Sequence, residues 1–129
     1  MSELNAITLT TDDMAASLGF WSVPGRSVDF GGPDALFSTV RLGVDFVNLV
    51  AGERSPGFWG RVVIHVPSPD ALHRAFVEAG YRSETEPADA PWGERYFHIL
   101  DPAGHEISFA RRLDADGGSR GGNDGEEAG

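Results

Sequence analysis

The order of strand-like and helix-like segments occurs twice along this chain, and this repetition limits the possible folds more than any other feature. In each half, one strand pattern is followed by a short helix and then by three further strand patterns. A shift of sixty residues aligns three apolar positions of the two halves: Phe37 with Phe97, Val47 with Ile107 and Leu49 with Phe109. Neither half could close a core by itself. We therefore expect an α+β protein built from two βαβββ modules.

The first module is predicted over residues 1–54. Its first strand alternates apolar side chains with hydroxyl groups, and Asp12 or Asp13 can cap the helix that follows. Met14, Leu18 and Trp21 lie on one side of that helix at spacings of four and three. The predicted strands are Leu4–Thr11, Ser27–Phe30, Leu36–Arg41 and Asp45–Ala51.

The second module is predicted over residues 55–112. Ser68 and Pro69 are typical of a helix start, and Gly80 can end the helix in a left-handed conformation. Asp101-Pro102 with Gly104 predicts a type I turn between the last two strands. The predicted strands are Trp59–Val66, Tyr81–Glu86, Arg95–Leu100 and His105–Arg111. Residues 113–129 form an acidic, glycine-rich tail that we expect to be disordered.

The charge of the chain excludes two classes of partner. The 129 residues carry a net charge of -10, and no stripe of basic residues collects the arginines. A negative surface repels nucleic acid and anionic lipid, so neither is an expected partner. The chain has no Cys, and its N-terminal residues lack the basic and apolar run of a secretory signal. We expect a cytoplasmic protein.

Strand parity predicts one polar sheet face. If the apolar residues of the strands pack under the helices, the alternate side chains point to the opposite side. Unpaired polar groups would cost about 1 to 3 kcal/mol each if that side were dry, so we expect a cleft that receives water or a polar ligand. The predicted face consists of Thr8, Thr10, Asn48, Arg61, Val63, His65, Tyr96, His98, Leu100, Glu106 and Ser108.

The charged residues of this face have alternative roles. Arg61 can donate two parallel hydrogen bonds to an anionic or carbonyl oxygen of a ligand, or it can pair internally with Glu106. His65 and His98 can act as acids, bases or donors, or their neighbours can satisfy them.

Two tryptophans and two further histidines lie outside the predicted face. Trp59 and Trp92 are predicted in loops that enter the cleft, where they can stack on a ligand ring, although Trp92 can instead anchor its own loop. His73 on the helix and His105 beside the turn are expected to be solvated.

The last hairpin resembles a known superfamily. The segment Pro91–His98 followed by Asp101–Phe109 is similar to the closing hairpin of the vicinal-oxygen-chelate superfamily, which includes glyoxalases, extradiol dioxygenases and bleomycin resistance proteins. With Val47–Leu49 and the helix from Ser68 to Gly80, the similarity spans most of residues 4–112. It implies two βαβββ modules in a curved, eight-stranded mixed sheet, with the helices on the convex face and a ligand cleft inside.

The resemblance also implies four metal-ligand positions, one on the first and one on the last strand of each module. They correspond here to Ala6, Asn48, Arg61 and Ser108. A methyl group, an amide, a guanidinium and a hydroxyl cannot replace the imidazole and carboxylate ligands that a divalent ion needs there. We therefore predict no metal cofactor at the family position.

Three functions remain as hypotheses. We favour a metal-free protein that binds a small molecule and sequesters an antibiotic-like or aromatic metabolite. The alternative is an enzyme of the lyase, isomerase or dioxygenase type that uses His65, His98 and Glu106 as metal ligands or as acid–base groups. A third hypothesis is a regulatory or structural dimer with a vestigial cleft. The resemblance implies a homodimer in each case.

Overall fold

The structure is a computed structural model that describes residues 2–54 and 57–113. These residues form two compact units, one containing 2–54, 57–59 and 100–105 and the other containing 60–99 and 106–113. Of the predicted tail, only Leu113 is among the described residues, so the predicted disorder of 114–129 lies outside them.

The first unit contains a four-stranded mixed sheet with the strand order β1-β4-β3-β2. β1 is parallel to β4, whereas β3 is antiparallel to both β4 and β2. Its elements are β1 (Ala6–Thr11), α1 (Met14–Trp21), β2 (Ser27–Phe30), β3 (Phe37–Leu42) and β4 (Asp45–Ala51).

The second unit repeats this topology with the strand order β5-β8-β7-β6. β5 is parallel to β8, and β6 is antiparallel to β7. Its elements are β5 (Arg61–His65), α2 (Pro69–Glu78), β6 (Ala88–Asp89), β7 (Glu94–Leu100) and β8 (Glu106–Arg112). The predicted α+β architecture of two βαβββ modules is confirmed.

Both helices begin at predicted caps. The Asp13 carboxylate accepts a hydrogen bond from the Ala16 amide at 3.0 Å, and the Ser68 hydroxyl accepts one from the Ala71 amide at 3.1 Å. Gly80 follows α2 at φ 98°, a conformation that disfavours side chains with a Cβ. In the described part of the chain, neither helix is long and apolar enough to cross a membrane.

The core of each unit lies between its helix and its sheet. In the first unit, Leu18 and Trp21 of α1 are buried together with apolar residues of β1, β3 and β4. In the second unit, Phe76 of α2 packs on Phe97 and Phe109, with ring centroids 6.3 and 5.7 Å away. These contacts close one face of each sheet and leave the opposite face for function.

The predicted strand over residues 81–86 is wrong, because the corresponding edge strand is β6, a few residues later. Within residues 81–86, the Ser83 hydroxyl donates to the carbonyl of Thr85 and also bonds the ring of His73, and a single backbone bond joins the Glu84 amide to the carbonyl of His98 on β7. A hydroxyl that bonds the nearby backbone competes with a regular strand.

The two halves do not align at sixty residues throughout. The match of Phe37 with Phe97 is wrong, because Phe37 is 37% exposed whereas Phe97 is fully buried. The buried residues of β3 are Ser38 and Val40, so Ser38 corresponds to Phe97. β4 and β8 keep the offset of sixty, whereas β3 and β7 are offset by fifty-nine.

A difference in turn length causes this change of offset. Leu42 pairs with Asp45 across two turn residues, whereas Asp101 bonds His105 across three. The second turn has one residue more than the first, so equivalent positions in β3 and β7 are fifty-nine residues apart. An offset of sixty therefore pairs residues of these two strands that lie on opposite faces of their sheets.

Candidate functional site

The face of the second sheet that points away from α2 carries the predicted polar residues of that unit. On β5, Arg61, Val63 and His65 are exposed and alternate with half-buried residues, as the strand parity predicts. In the register with β8, Arg61 lies beside Glu106 and Val63 beside Ser108.

β7 adds Tyr96 and His98 to the same face. Backbone hydrogen bonds close both ends of the β7–β8 hairpin: Asp101 N donates to His105 O, and Leu113 N donates to Gly93 O. Both bonds have the same register, which places His98 opposite Ser108 on the neighbouring strand. The predicted neighbours on this face therefore lie together.

Arg61 and Glu106 form the internal ion pair that the sequence left open. The Arg61 Nε donates to Glu106 Oε2 at 2.7 Å, and Nη2 contacts the same oxygen. The Arg61 side chain remains 42% exposed and that of Glu106 19%. Among the described residues, no protein group bonds Nη1, so the guanidinium keeps donors for a ligand.

His98 packs against the ring of Tyr96, and the charges of Arg61 and Glu106 both act on it. Its ring centroid is 4.9 Å from that of Tyr96. Burial lowers the pKa of His98, and the positive charge of Arg61 lowers it further. His98 is therefore neutral at pH 7.

The His98 Nδ1 atom is buried and has no hydrogen-bond partner within residues 2–54 and 57–113. A buried N–H without an acceptor would cost about 1 to 3 kcal/mol. The proton of the neutral ring is consequently favoured at Nε2, which leaves the lone pair on the buried Nδ1.

Glu94 is a site residue that the sequence interpretation missed. The residue is 7% exposed, and its carboxylate bonds His65 Nε2 at 2.7 Å through Oε2 and accepts from Trp92 Nε1 at 3.1 Å through Oε1. The predicted strand began at Arg95, which placed Glu94 in a loop. The alternation of side chains along a strand would have placed Glu94 on the polar face, because Glu94 precedes Tyr96 by two residues.

Trp92 both anchors its loop and offers a ring. Its indole is bonded to Glu94 and lies 5.6 Å from the Tyr96 ring at an interplanar angle of 33°, yet 53% of the residue is exposed. Gly93 has φ 97° and allows the turn between loop and strand. The two roles considered for Trp92 are therefore compatible.

The predicted polar residues of the first unit are largely satisfied by one another. The Asn48 side chain donates to the Thr8 hydroxyl at 3.3 Å and accepts from Thr39 at 2.8 Å. The Thr10 carbonyl accepts from His105. This face holds a closed, neutral row rather than an ionisable cluster.

The expectation that His105 and His73 are solvated is wrong. His105 is 5% exposed; its Nδ1 accepts from Trp59 Nε1 and its Nε2 donates to the carbonyl of Thr10, both at 2.7 Å. Because the indole only donates and the carbonyl only accepts, His105 is the neutral Nε2–H tautomer. His73 is half-buried, bonded to Ser83 and packed edge-on against a core phenylalanine.

Trp59, a predicted ligand contact, instead takes part in the hydrogen bonds around the buried His105 in the first unit. Its indole bonds His105 while 48% of the residue stays exposed. The same turn holds Asp101, which is 3% exposed and accepts from the amides of Ala103 and His105. Burial raises the pKa of the Asp101 carboxyl.

The four positions of the family metal do not fit a divalent ion. In the first unit, Ala6 offers a methyl group and the amide of Asn48 is already bonded. In the second unit, Arg61 brings a positive charge and Ser108 a neutral hydroxyl. Within residues 2–54 and 57–113, no three His, Asp or Glu side chains gather to hold a metal ion, so the alternative set of His65, His98 and Glu106 does not form such a site.

Comparisons with known proteins agree with this fold. A family model described as the glyoxalase/bleomycin resistance protein/dioxygenase superfamily matches residues 42–109. A search of curated proteins gave no significant match.

Three solved structures illustrate the likeness. A glyoxalase/bleomycin resistance protein/dioxygenase from Nocardioides is 20% identical, with a TM-score of 0.71, over 96% of this chain and 91% of the other. The bleomycin resistance determinant encoded on transposon Tn5 is 15% identical, with a TM-score of 0.71, over 86% and 98% of the two chains. A lactoylglutathione lyase from Agrobacterium tumefaciens is 20% identical, with a TM-score of 0.70, over 86% and 94%. At these identities the likeness concerns the fold.

Proposed function

Because the chain belongs to the glyoxalase/bleomycin resistance protein/dioxygenase superfamily, we propose that it is a metal-free member that binds a small aromatic molecule on the polar face of its second sheet. The superfamily contains both resistance proteins and lyases, as the Tn5 determinant and the Agrobacterium protein illustrate. The side chains of this chain therefore decide between them.

The observation that carries the proposal is the set of unused bonding positions on one exposed face. The Arg61 side chain is 42% exposed and keeps a donor beside its bond to Glu106, and the half-buried imidazole of His98 lies on the same face. The exposed indole of Trp92 offers a flat surface next to Tyr96. Together these groups suit a planar molecule with polar substituents.

The ligand chemistry of the family positions supports the metal-free part of the proposal. A guanidinium and a hydroxyl stand where the second unit would supply imidazole or carboxylate. A protein that captures an aromatic or antibiotic-like compound needs only contacts of the kind found around Trp92 and Arg61. We propose that it does so as a homodimer in the cytoplasm, and light scattering of the purified protein tests the dimer.

A thermal-shift screen of planar aromatic compounds, run in the presence of EDTA, tests the proposal. We expect at least one compound to raise the melting temperature, and Arg61→Ala to weaken its binding by about tenfold, since a bond to a charged group contributes about 1.5 to 3 kcal/mol. Arg82→Ala is the matched control, because Arg82 is an exposed arginine of the same unit outside the polar face. Binding that requires added Ni, Zn, Mn or Fe, or that Arg61→Ala leaves unchanged, would contradict it.

A further inference from the structure

Two rings of the second unit are held by the two oxygens of one buried carboxylate. Glu94 Oε2 bonds the imidazole of His65, and Glu94 Oε1 bonds the indole of Trp92. His65 pairs with Ala110 in the β5–β8 register, and the small methyl group of Ala110 lets the imidazole reach across β8 to a residue of β7. The imidazole and the exposed indole are therefore neighbours.

The carboxylate determines how the imidazole is oriented. A carboxylate only accepts, so the Nε2 of His65 carries the proton of that bond, and the neutral form of the ring then has its lone pair on Nδ1. The His65 side chain is 48% exposed, whereas the Glu94 side chain is only 9% exposed. Within the described residues, Nδ1 has no protein partner. An oriented, accessible nitrogen base beside a stacking surface is an arrangement that proton abstraction requires.

We propose that His65 is a metal-free general base for planar, conjugated substrates that carry an acidic C–H group and stack on Trp92. This inference rests on the ligand face proposed above and adds a reaction to it. Glu94 is a positioning residue, since it holds the imidazole through Nε2 and does not touch the substrate. Trp92 supplies the surface that places the reacting carbon beside Nδ1.

The elimination of 5-nitrobenzisoxazole is a suitable probe, because it is flat and needs only a base. His65 Nδ1 takes the proton from C3, the C–H electron pair completes the nitrile, and the N–O bond breaks to leave the phenolate oxygen with its electron pair. No oxidant, metal or second reactant takes part. The phenolate product is followed by its absorbance in buffer that contains EDTA.

We expect the full-length protein to accelerate this reaction and His65→Ala to lower the rate at least tenfold, because general-base groups contribute about 10²-fold or more. His65→Gln serves as a second variant if the alanine variant melts at a lower temperature. His73→Ala is the matched control and should keep the rate, since His73 lies on α2 outside this face.

Substitutions of Glu94 and Trp92 should affect kcat and KM differently. Glu94→Gln should lower kcat and change KM by less than twofold, and Glu94→Asp should restore part of kcat. Trp92→Ala should raise KM more than it lowers kcat, because the stacking surface is lost. Separate effects on kcat and KM would show that these residues orient the base and place the substrate. A residue that only supports the fold would not produce this separation.

A wild-type rate no higher than that of His65→Ala would overturn the proposed base, whatever the cause. The same result would leave the proposed ligand face standing if aromatic compounds still raise the melting temperature and Arg61→Ala still weakens them. Conversely, a rate that depends on His65 while no compound in the screen binds would retain the base and remove the sequestering function.

Discussion

The two sheets share one topology but use different chemistry on their polar faces. In the first unit, the central row runs across three strands as Thr8, Asn48 and Thr39, all neutral and bonded to one another. At the same place in the second unit, Val63 and Ser108 lie in register, and His98 is opposite Ser108, with no bonding partner for its Nδ1 among the residues that the structure describes.

The rest of the second face extends this contrast. Arg61 occupies the position that corresponds to Ala6, and His65 the position that corresponds to Thr10. The apolar faces under the helices, in contrast, stay alike, with Leu49 and Phe109 both fully buried. A repeated module can therefore keep its core while one copy alone carries reactive groups.

The largest expected effect is on stability, and it tests whether β3 and β7 are offset by fifty-nine or by sixty residues. Phe97→Ala should cost about 3 to 5 kcal/mol in the free energy of unfolding, because the ring is fully buried between two other phenylalanines. Phe37→Ala should cost less than about 1 kcal/mol, since Phe37 is 37% exposed. Urea denaturation measures both, and equal losses would mean that the fixed offset of sixty is the correct alignment.

A smaller effect should separate the two hairpin turns. Asp101→Ala should cost about 2 kcal/mol, because it removes the buried carboxylate that accepts from the amides of Ala103 and His105. Asp45→Ala is the control in the first turn, where the side chain is exposed, and it should change stability by less than about 0.5 kcal/mol. The comparison fails if both variants unfold at the same urea concentration.

A pH dependence of stability is expected from His98 in the second unit, because its counterpart in the first unit, Thr39, has no ionisable group. Burial and Arg61 hold the pKa of His98 below 6.5 in the folded state. Below pH 6.5 the unfolded chain then binds more protons than the folded chain, so this contribution to stability is complete above pH 6.5 and is lost as the pH falls. NMR of the imidazole nitrogens should give a pKa below 6.5.

Arg61→Met should raise the pKa of His98 toward 6.5, since it removes the nearby positive charge and leaves Glu106 unpaired. Arg82→Ala should leave the pKa unchanged, because Arg82 is not among the charges that act on His98. A His98 pKa at or above 6.5 in the unmodified protein would contradict the buried, neutral ring.

The smallest effect is expected for the neutral row. Asn48→Ala should cost about 1 kcal/mol or less, because water can reach Thr8 and replace the lost bond. It should also leave ligand binding unchanged if the second face alone binds the ligand. Loss of binding in this variant would place the first sheet in the site.

The chain order and the strand parity predicted much of the fold and part of the site. Caps such as Asp13 and Ser68 act on amides three residues away, so a short sequence window contains the whole interaction. Parity on β5 likewise placed Arg61 and His65 on one exposed face. The assignment of 81–86 as a strand was wrong because Ser83 bonds its own neighbours.

The error at His105 has a physical origin in partners distant in sequence, which set the surroundings of its side chain. His105 looked solvated beside a turn, yet Trp59 and Thr10 enclose it from 46 and 95 residues away. Glu94 was missed for a different reason: the predicted strand began one residue late, at Arg95, so Glu94 lay outside the residues to which the strand parity was applied.

The sequence by itself determined the repeated βαβββ order, the helix ends and the alternation of apolar and polar side chains, because each depends on groups a few residues apart. Only the tertiary structure decided that Glu94 joins His65 to Trp92, that Arg61 pairs with Glu106, and that the buried Nδ1 of His98 has no partner among the described residues. The bonds of His65 with Glu94 and of Arg61 with Glu106 join residues on different strands that are 29 and 45 positions apart. The hydrogen-bond register between those strands, not local preference, brings the groups together.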